Sequence, residues 1–241
     1  MTQCLEPLPS PPIPAAAGRG GTTMGKVIAI DGPSGAGKST IAKMLAGRLG
    51  FTYLDTGALY RAVALLFLQK RVTPDDDDRV LEAALGRTEI RFDEGKVMLD
   101  GRDVSSEIRT PEVGHYSSVF SARRVVRDFL LDVQRNASSD HNIVVEGRDT
   151  TTVVFPGAYR KFYMDASIEE RTRRRHRQLE EMGIHVTETE AEKDVKERDA
   201  RDKARDIAPL TKAKDAIIIE TTGKGIEQIL DTLMEVVGTH P

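Results

Sequence analysis

The chain has 241 residues, 39% of them hydrophobic, which suits one sizeable domain or a core carrying inserted lobes. A formal net charge of -3 argues against bulk attraction to nucleic acid or to an anionic membrane. The single cysteine, Cys4, excludes an intrachain disulfide and a Cys-based metal cage, and no apolar run approaches a membrane span, so a soluble, cytoplasmic protein is expected.

Residues 1–23 read as a disordered tail. "EPLPSPPIPAAAGRGG" is rich in Pro, Ala and Gly and lacks the continuous apolar stretch of a secretory signal. Met24 is therefore a candidate start, because the first strand begins just after it. Val27 to Ile30 is a short, largely β-branched run that reads as a buried parallel strand ending at Asp31. "GPSGAGKS", Gly32 to Ser39, then fits G-x-x-x-x-G-K-[ST] in full. Its glycines let successive backbone N–H groups turn inward, and a helix N-terminus behind them adds positive potential. Lys38 can reach β- and γ-phosphates, and Ser39 can ligate Mg²⁺. Ile41, Met44, Leu45 and Leu49 follow at helical spacing. The first ligand is thus a nucleoside triphosphate with Mg²⁺, read as ATP. No Asn/Thr-Lys-x-Asp guanine-reading motif occurs, which argues against a GTPase.

Further along, "DTGALYR" runs from Asp55 to Arg61, where Arg61 is either a bidentate phosphate clamp or a surface arginine. The acidic run Asp75 to Asp78 after Pro74 reads as a helix N-terminus. Between Thr88 and Val104, "EIRF" and "KVML" separated by "DEG" and "DG" predict a small antiparallel insert. Apolar strands are expected at Asn142 to Val145, Lys161 to Met164 and Ala216 to Ile219. The second of the four runs ends in Glu146-Gly147-Arg148-Asp149, the place where open α/β sheets bind ligands. Arg148 and Asp149 suit an anion and an amino group, or form a structural ion pair. Ser167 to Arg205 is highly charged, helical and poor in core residues, the composition of a mobile lobe. Its "RTRRRHR", Arg171 to Arg177, reads as a nucleic-acid patch or as a lid carrying cations to a transferring phosphoryl group. In "KERDARDKARDIAPL", Arg198, Asp202 and Arg205 fall on one helical face, either as a site or as a solvated, salt-bridged surface. The last helix carries an apolar stripe of Ile226, Ile229, Leu230, Leu233 and Val237.

Taken together, "IDGPSGAGKST", "LDTGALYRA", "DVSSEIRTPEVG", "EGRDTTTVVFP" and "KERDARDKARDIAPL" resemble the bacterial cytidylate kinases from Lys26 to about Val237. The resemblance implies an α/β P-loop kinase with a central parallel five-stranded sheet flanked by helices, a small antiparallel insert and a helical lid. It divides residues 24–241 into a core of 24–85, 107–166 and 207–241, a monophosphate-binding insert of about 86–106 and a lid of about 167–206. Phosphoryl transfer from ATP to CMP or dCMP is the implied activity. ATP would lie on Gly32, Pro33, Ser34, Gly35, Ala36, Gly37, Lys38, Ser39 and Thr40. Arg61 and Arg148 would hold the acceptor phosphate, with Thr56 and Tyr60 in the same site. Asp149 would accept from the cytosine amino group, and Ser118 and Arg127 would meet the rest of the base edge. Arg198, Asp202 and Arg205 would contact the acceptor's ribose and phosphate side. Lys38, Arg148, Arg171, Arg174 and Arg175 would supply catalytic charge, and Ser39 and Glu146 would hold Mg²⁺, Glu146 through water.

Two departures stand out. Many relatives have a hydrophobic residue and Gly where this chain has Thr150 and Thr151, and many have Ser where it has Thr56. No general base is expected, because a phosphate monoester with a second pKa of about 6 is already largely deprotonated near neutrality. Rival readings are a kinase of the same fold with another acceptor, an oligonucleotide-binding protein and a P-loop scaffold without turnover. The missing interleaved aromatics count against the second and the intact Lys38 and Ser39 against the third. No nucleic-acid or membrane partner is expected, and the resemblance implies a monomer.

Overall fold

A computed structural model describes residues 25–93, 95–138 and 141–238, so the expectations for the tail and for Met24 lie outside the described residues. Five strands form a parallel sheet in the order β2-β6-β1-β7-β8. They are β1 (Val27–Asp31), β2 (Thr52–Asp55), β6 (Ile143–Gly147), β7 (Arg160–Asp165) and β8 (Ile217–Glu220). β1 lies between β6 and β7, with Asp31 opposite Gly147 on one side and Tyr163 on the other. All of Ile28–Ile30 and Ile143–Val145 are buried, as continuous apolar runs covered on both faces should be. β2 had no apolar run to betray it: its "TYLD" buries only Leu54 and Asp55, and it takes the outer edge beside β6. At the other edge, β8 is displaced by one residue from its expected bounds and exposes Ile217 and Ile218.

Helix α1 (Lys38–Leu49) buries Ile41, Ala42, Leu45 and Ala46 against one face of the sheet, together with α8 (Ile226–Gly238). Ile229, Leu230 and Leu233 of α8 join that core, but Ile226 is 48% exposed and leaves the expected stripe. On the opposite face α2 (Thr56–Gln69) is apolar on nearly every side and becomes the central helix. Asp55 caps its N-terminus, accepting from the Ala58 amide at 3.0 Å. Around α2 pack α3 (Asp78–Leu85), α4 (Pro111–Phe120) and α5 (Arg124–Asn136). The acidic run does start a helix, with Asp77 as the N-cap of α3.

The insert is a separate antiparallel sheet of β3 (Ile90–Asp93), β4 (Lys96–Leu99) and β5 (Arg102–Asp103). Asp100 and Gly101, both left-handed at φ 48° and 79°, make its second turn. Ile90, Val97 and Leu99 tie it to the α2 core. The charged stretch forms α6 (Ile168–Glu181) and α7 (Glu188–Ala204), which pack on each other with few buried apolar residues, Leu179, Ala191 and Val195, and with the ion pairs Arg171–Asp199 and Arg175–Asp194. Among the described residues no helix is long and apolar enough to cross a membrane.

Candidate active site

The carboxyl ends of β1, β2 and β6 open into a cleft of about 770 Å³. One end of the cleft is the Gly-rich loop. It leads into α1 with no side chain capping the helix, so the first amides of α1 stay available to an anion. Lys38 is buried and donates from Nζ to the Pro33 carbonyl at 2.8 Å. Burial, helped by Arg148, pushes its pKa down to about 7, while Glu146 pulls the other way.

Helices α6 and α7 brace this loop from behind. The Ser34 amide donates to Asp199 Oδ1 at 2.9 Å, and Arg171 joins Asp199 to the Ser34 carbonyl. Arg174 donates to the Ala36 carbonyl at 3.1 Å and to Thr221. Of the three arginines expected to face the transferring phosphoryl group, Arg171 thus lies behind the loop and is absent from the cleft wall. Arg174 and Arg175 line the cleft, where Arg175 is held by Asp194 at 2.7 Å.

The other end of the cleft is assembled from α2, α4, α7 and the turn after β6. Arg148 donates from Nε to Asp202 Oδ2 at 2.7 Å. Burial works to raise the Asp202 pKa, but Arg148, Arg205 and Arg198 outweigh it and hold the carboxylate below its usual range. Arg61 donates to the Ile108 carbonyl at 3.2 Å. Burial, followed by the charges of Arg148, Arg61 and Arg175, pushes Arg198 down to about 9. Arg198 Nε and Arg205 Nε and Nη2 are buried without a hydrogen-bond partner. Arg61, Arg148, Arg175, Arg198 and Arg205 all line the cleft, so this end is cationic and suits an anion rich in acceptors. Arg205 lines the cleft together with Arg198 and Asp202, and its Nη1 lies 3.6 Å from Asp202 Oδ1. Helix α7 ends at Ala204, and Arg205 leaves it in extended conformation, its Nη1 reaching the Ser121 hydroxyl at 3.2 Å.

Asp149 is buried and paired with Arg127, which also donates to the Ser121 carbonyl at 3.0 Å and lies over the Tyr60 ring at 5.5 Å. Arg127 is therefore one layer back from the cleft wall, while Tyr60, Ser118 and Asp149 form that wall. Thr56 also lines it and donates its hydroxyl to the Glu146 carbonyl at 2.8 Å. Among the lining residues that the sequence reading did not assign to the site are Asp55, Arg109, Ser117 and Ser121. Asp55 and Arg109 form an ion pair at 3.1 Å, Ser121 anchors two arginines, and Ser117 adds a hydroxyl. Asp55 was visible as the start of "DTGALYR", whereas Arg109 is paired with it from 54 residues away.

Glu146 accepts from Tyr53 at 2.7 Å and from the Ser39 hydroxyl, and burial with Asp55 nearby raises its pKa. Among the described residues no cluster of three or more His, Cys, Asp or Glu could hold a metal ion. Mg²⁺ takes one or two protein oxygens and completes its shell with water and phosphate. Ser39 and Glu146, side by side at the phosphate end, fit such an ion.

A Gly-rich loop between β1 and α1, with a cationic cleft at the ends of a parallel sheet, defines a P-loop phosphotransferase. Residues 28–239 match the sequence model of the family described as cytidylate kinase. The cytidylate kinase of Thermosipho melanesiensis is 46% identical over 87% of this chain and 95% of its own. That of Thermodesulfovibrio yellowstonii is 48% identical over 88% and 97%. A solved, uncharacterized protein from Eubacterium ventriosum shares the fold at a TM-score of 0.50 and 14% identity, covering 89% of this chain and 99% of that one. The chain belongs to the cytidylate kinase family.

Proposed function

We propose that this protein transfers the γ-phosphoryl group of ATP to CMP or dCMP, giving ADP and CDP or dCDP. The observation that carries the proposal is the convergence of Arg61, Arg148, Arg198 and Arg205 on the wall of one cleft whose other end is the Gly-rich loop. A ligand at that end must bring several acceptor oxygens, and a nucleoside monophosphate does. Residues 167–206 act as the lid and 86–106 as the monophosphate-side insert.

Both substrates are anions, so the difficulty is bringing them together rather than removing a proton. Phosphoryl transfer is catalysed by positioning and by charge stabilisation. The loop amides and Lys38 hold the triphosphate. Arg61, Arg148 and Arg198 hold the acceptor phosphate, and Arg174 and Arg175 add charge at the junction. Ser39 and, through water, Glu146 would hold Mg²⁺, which would supply positive charge against the phosphate oxygens. Arg171 acts indirectly, by fixing the loop through Ser34 and Asp199.

Base choice falls to Asp149. With Oδ2 taken by Arg127, it presents its remaining oxygen to the cytosine amino group and repels the uracil carbonyl. The test is ADP release from MgATP with CMP, dCMP, UMP and AMP offered separately. Strong turnover with CMP and dCMP and weak turnover with UMP is expected; no turnover with CMP or dCMP would overturn the assignment.

A further inference from the structure

One buried carboxylate has no part in binding either substrate. Asp31 ends β1, directly before the first glycine of the phosphate loop, and is completely buried. Its Oδ1 accepts from the Thr150 amide at 3.0 Å and from the Thr150 hydroxyl at 2.7 Å. Its Oδ2 accepts from the Thr151 amide at 2.7 Å and from the Thr151 hydroxyl at 2.6 Å. Both oxygens are thus turned toward two consecutive residues, the two that follow Asp149.

The strands explain why this matters. Parallel pairing sets Asp31 opposite Gly147. At Gly147 a side chain has no room, because a Cβ would come within 2.6 Å of both the Thr150 methyl and the Thr56 hydroxyl. The segment is therefore pinned on each side of Arg148 and Asp149, by the β1–β6 ladder before them and by the Asp31 carboxylate after them. Between the pins, Asp149 has φ −138° and ψ 19°, a conformation that neither strand nor helix would hold. Beyond it the chain makes a single wide helical turn, Thr150–Val154, in which the Val153, Val154 and Thr152 amides converge on the Asp149 carbonyl.

We infer that Asp31, through the hydroxyls of Thr150 and Thr151, is a positioning residue for acceptor recognition. It fixes the backbone from which Arg148 and Asp149 reach the acceptor, and ties that backbone to the start of the loop that holds ATP. Four donors on two carboxyl oxygens leave this group little freedom, and losing donors to a buried carboxyl is costly. A site that must place a carboxylate against one edge of a base gains its selectivity from such rigidity. The inference rests on the proposed CMP kinase activity and concerns how that site is held.

The variant that tests it is Thr150→Val/Thr151→Val, which keeps the shape and both amide bonds and removes only the two hydroxyl donors. Steady-state kinetics with CMP and UMP should show the KM for CMP raised about tenfold, the KM for ATP unchanged and the preference for CMP over UMP reduced. Thr150→Ser/Thr151→Ser returns the hydroxyls and should restore both values. A purely structural role predicts a lower melting temperature and active fraction, with both KM values and the base preference intact; that result would overturn the inference. Wild-type turnover of CMP is the control, because its absence would sink the proposed activity instead.

Discussion

The two ends of the cleft solve the same problem, holding an anion, by opposite means. The proposed ATP end is one contiguous stretch, Gly32 to Thr40, of which Ser34 to Thr40 line the cleft, and it offers mostly backbone amides and one buried lysine. The acceptor end is made by side chains from α2, α4, α7 and the turn after β6, far apart in sequence. Backbone amides aimed by a helix terminus bind phosphate at little cost in side-chain order. Converging guanidiniums must be held against their mutual repulsion, here by Asp202, Asp55, Asp194 and serine oxygens. The buried unpartnered guanidinium atoms at Arg198 and Arg205 belong to the acceptor end. One end is a cradle of backbone, and the other is an electrostatic trap of converging side chains.

The contrast can be broken hardest at Lys38, the one cation of the cradle. Lys38→Ala should lower kcat by on the order of 10³-fold while leaving CMP binding, read by equilibrium dialysis, near wild type. Equal losses in CMP affinity would mean that the two ends are not separable. Next in size is Arg148→Ala, which removes a phosphate clamp and strips Asp202 of its closest partner. We expect kcat/KM for CMP to fall about 10²–10³-fold, with a drop in melting temperature because a buried carboxylate loses its partner. Arg148→Lys should recover stability better than activity, since an ammonium cannot copy a bidentate fork.

How the two ends were read from sequence follows from the same contrast. The cradle was legible because its chemistry lies in neighbouring residues with a fixed spacing. The trap was legible only as separate fragments, each with a bland alternative, until their combination pointed to one family. What stayed hidden depends on long-range contacts. Arg171 and Arg174 brace the carbonyls of Ser34 and Ala36, targets that no side-chain pattern reveals. Arg205 was legible because, as the residue capping α7, it still follows the helical spacing from Arg198 and lines the same cleft. β2 was missed since four half-polar residues give no periodic signal.

A smaller effect is expected where the trap does its discriminating. Asp149→Asn keeps the size of the side chain but replaces part of the carboxylate with a donor, so it should tolerate the uracil carbonyl better. The CMP preference over UMP should narrow by about 10–100-fold, the equivalent of one misplaced hydrogen bond in a buried site. Competition kinetics with both acceptors in one vessel reads this ratio directly. An unchanged ratio would move base choice elsewhere on the cleft wall, to Ser118 or Ser121.

The finest expected difference between the ends is in protons. In the empty site Lys38 is lowered from its ordinary 10.5 to about 7, mainly by burial. Phosphate oxygens beside the ammonium favour its charged form and raise the value again. At pH 8 the empty site therefore holds Lys38 mostly neutral and the ATP complex holds it charged, so binding takes up a fraction of a proton. At pH 6 both states are charged and uptake vanishes; ATP affinity accordingly declines as pH rises above about 7. Stability of the empty protein has the opposite slope. Between about 7 and 10.5 the unfolded chain binds the extra proton at Lys38, so this group's contribution to stability rises with pH. Calorimetric titration with MgATP in two buffers of different ionisation enthalpy measures the uptake, and subtracting Lys38→Met isolates this residue. The arginines of the acceptor end keep their protons at these pH values, so CMP should bind with much smaller uptake. Equal uptake for the two ligands would erase the distinction between cradle and trap at the level of charge.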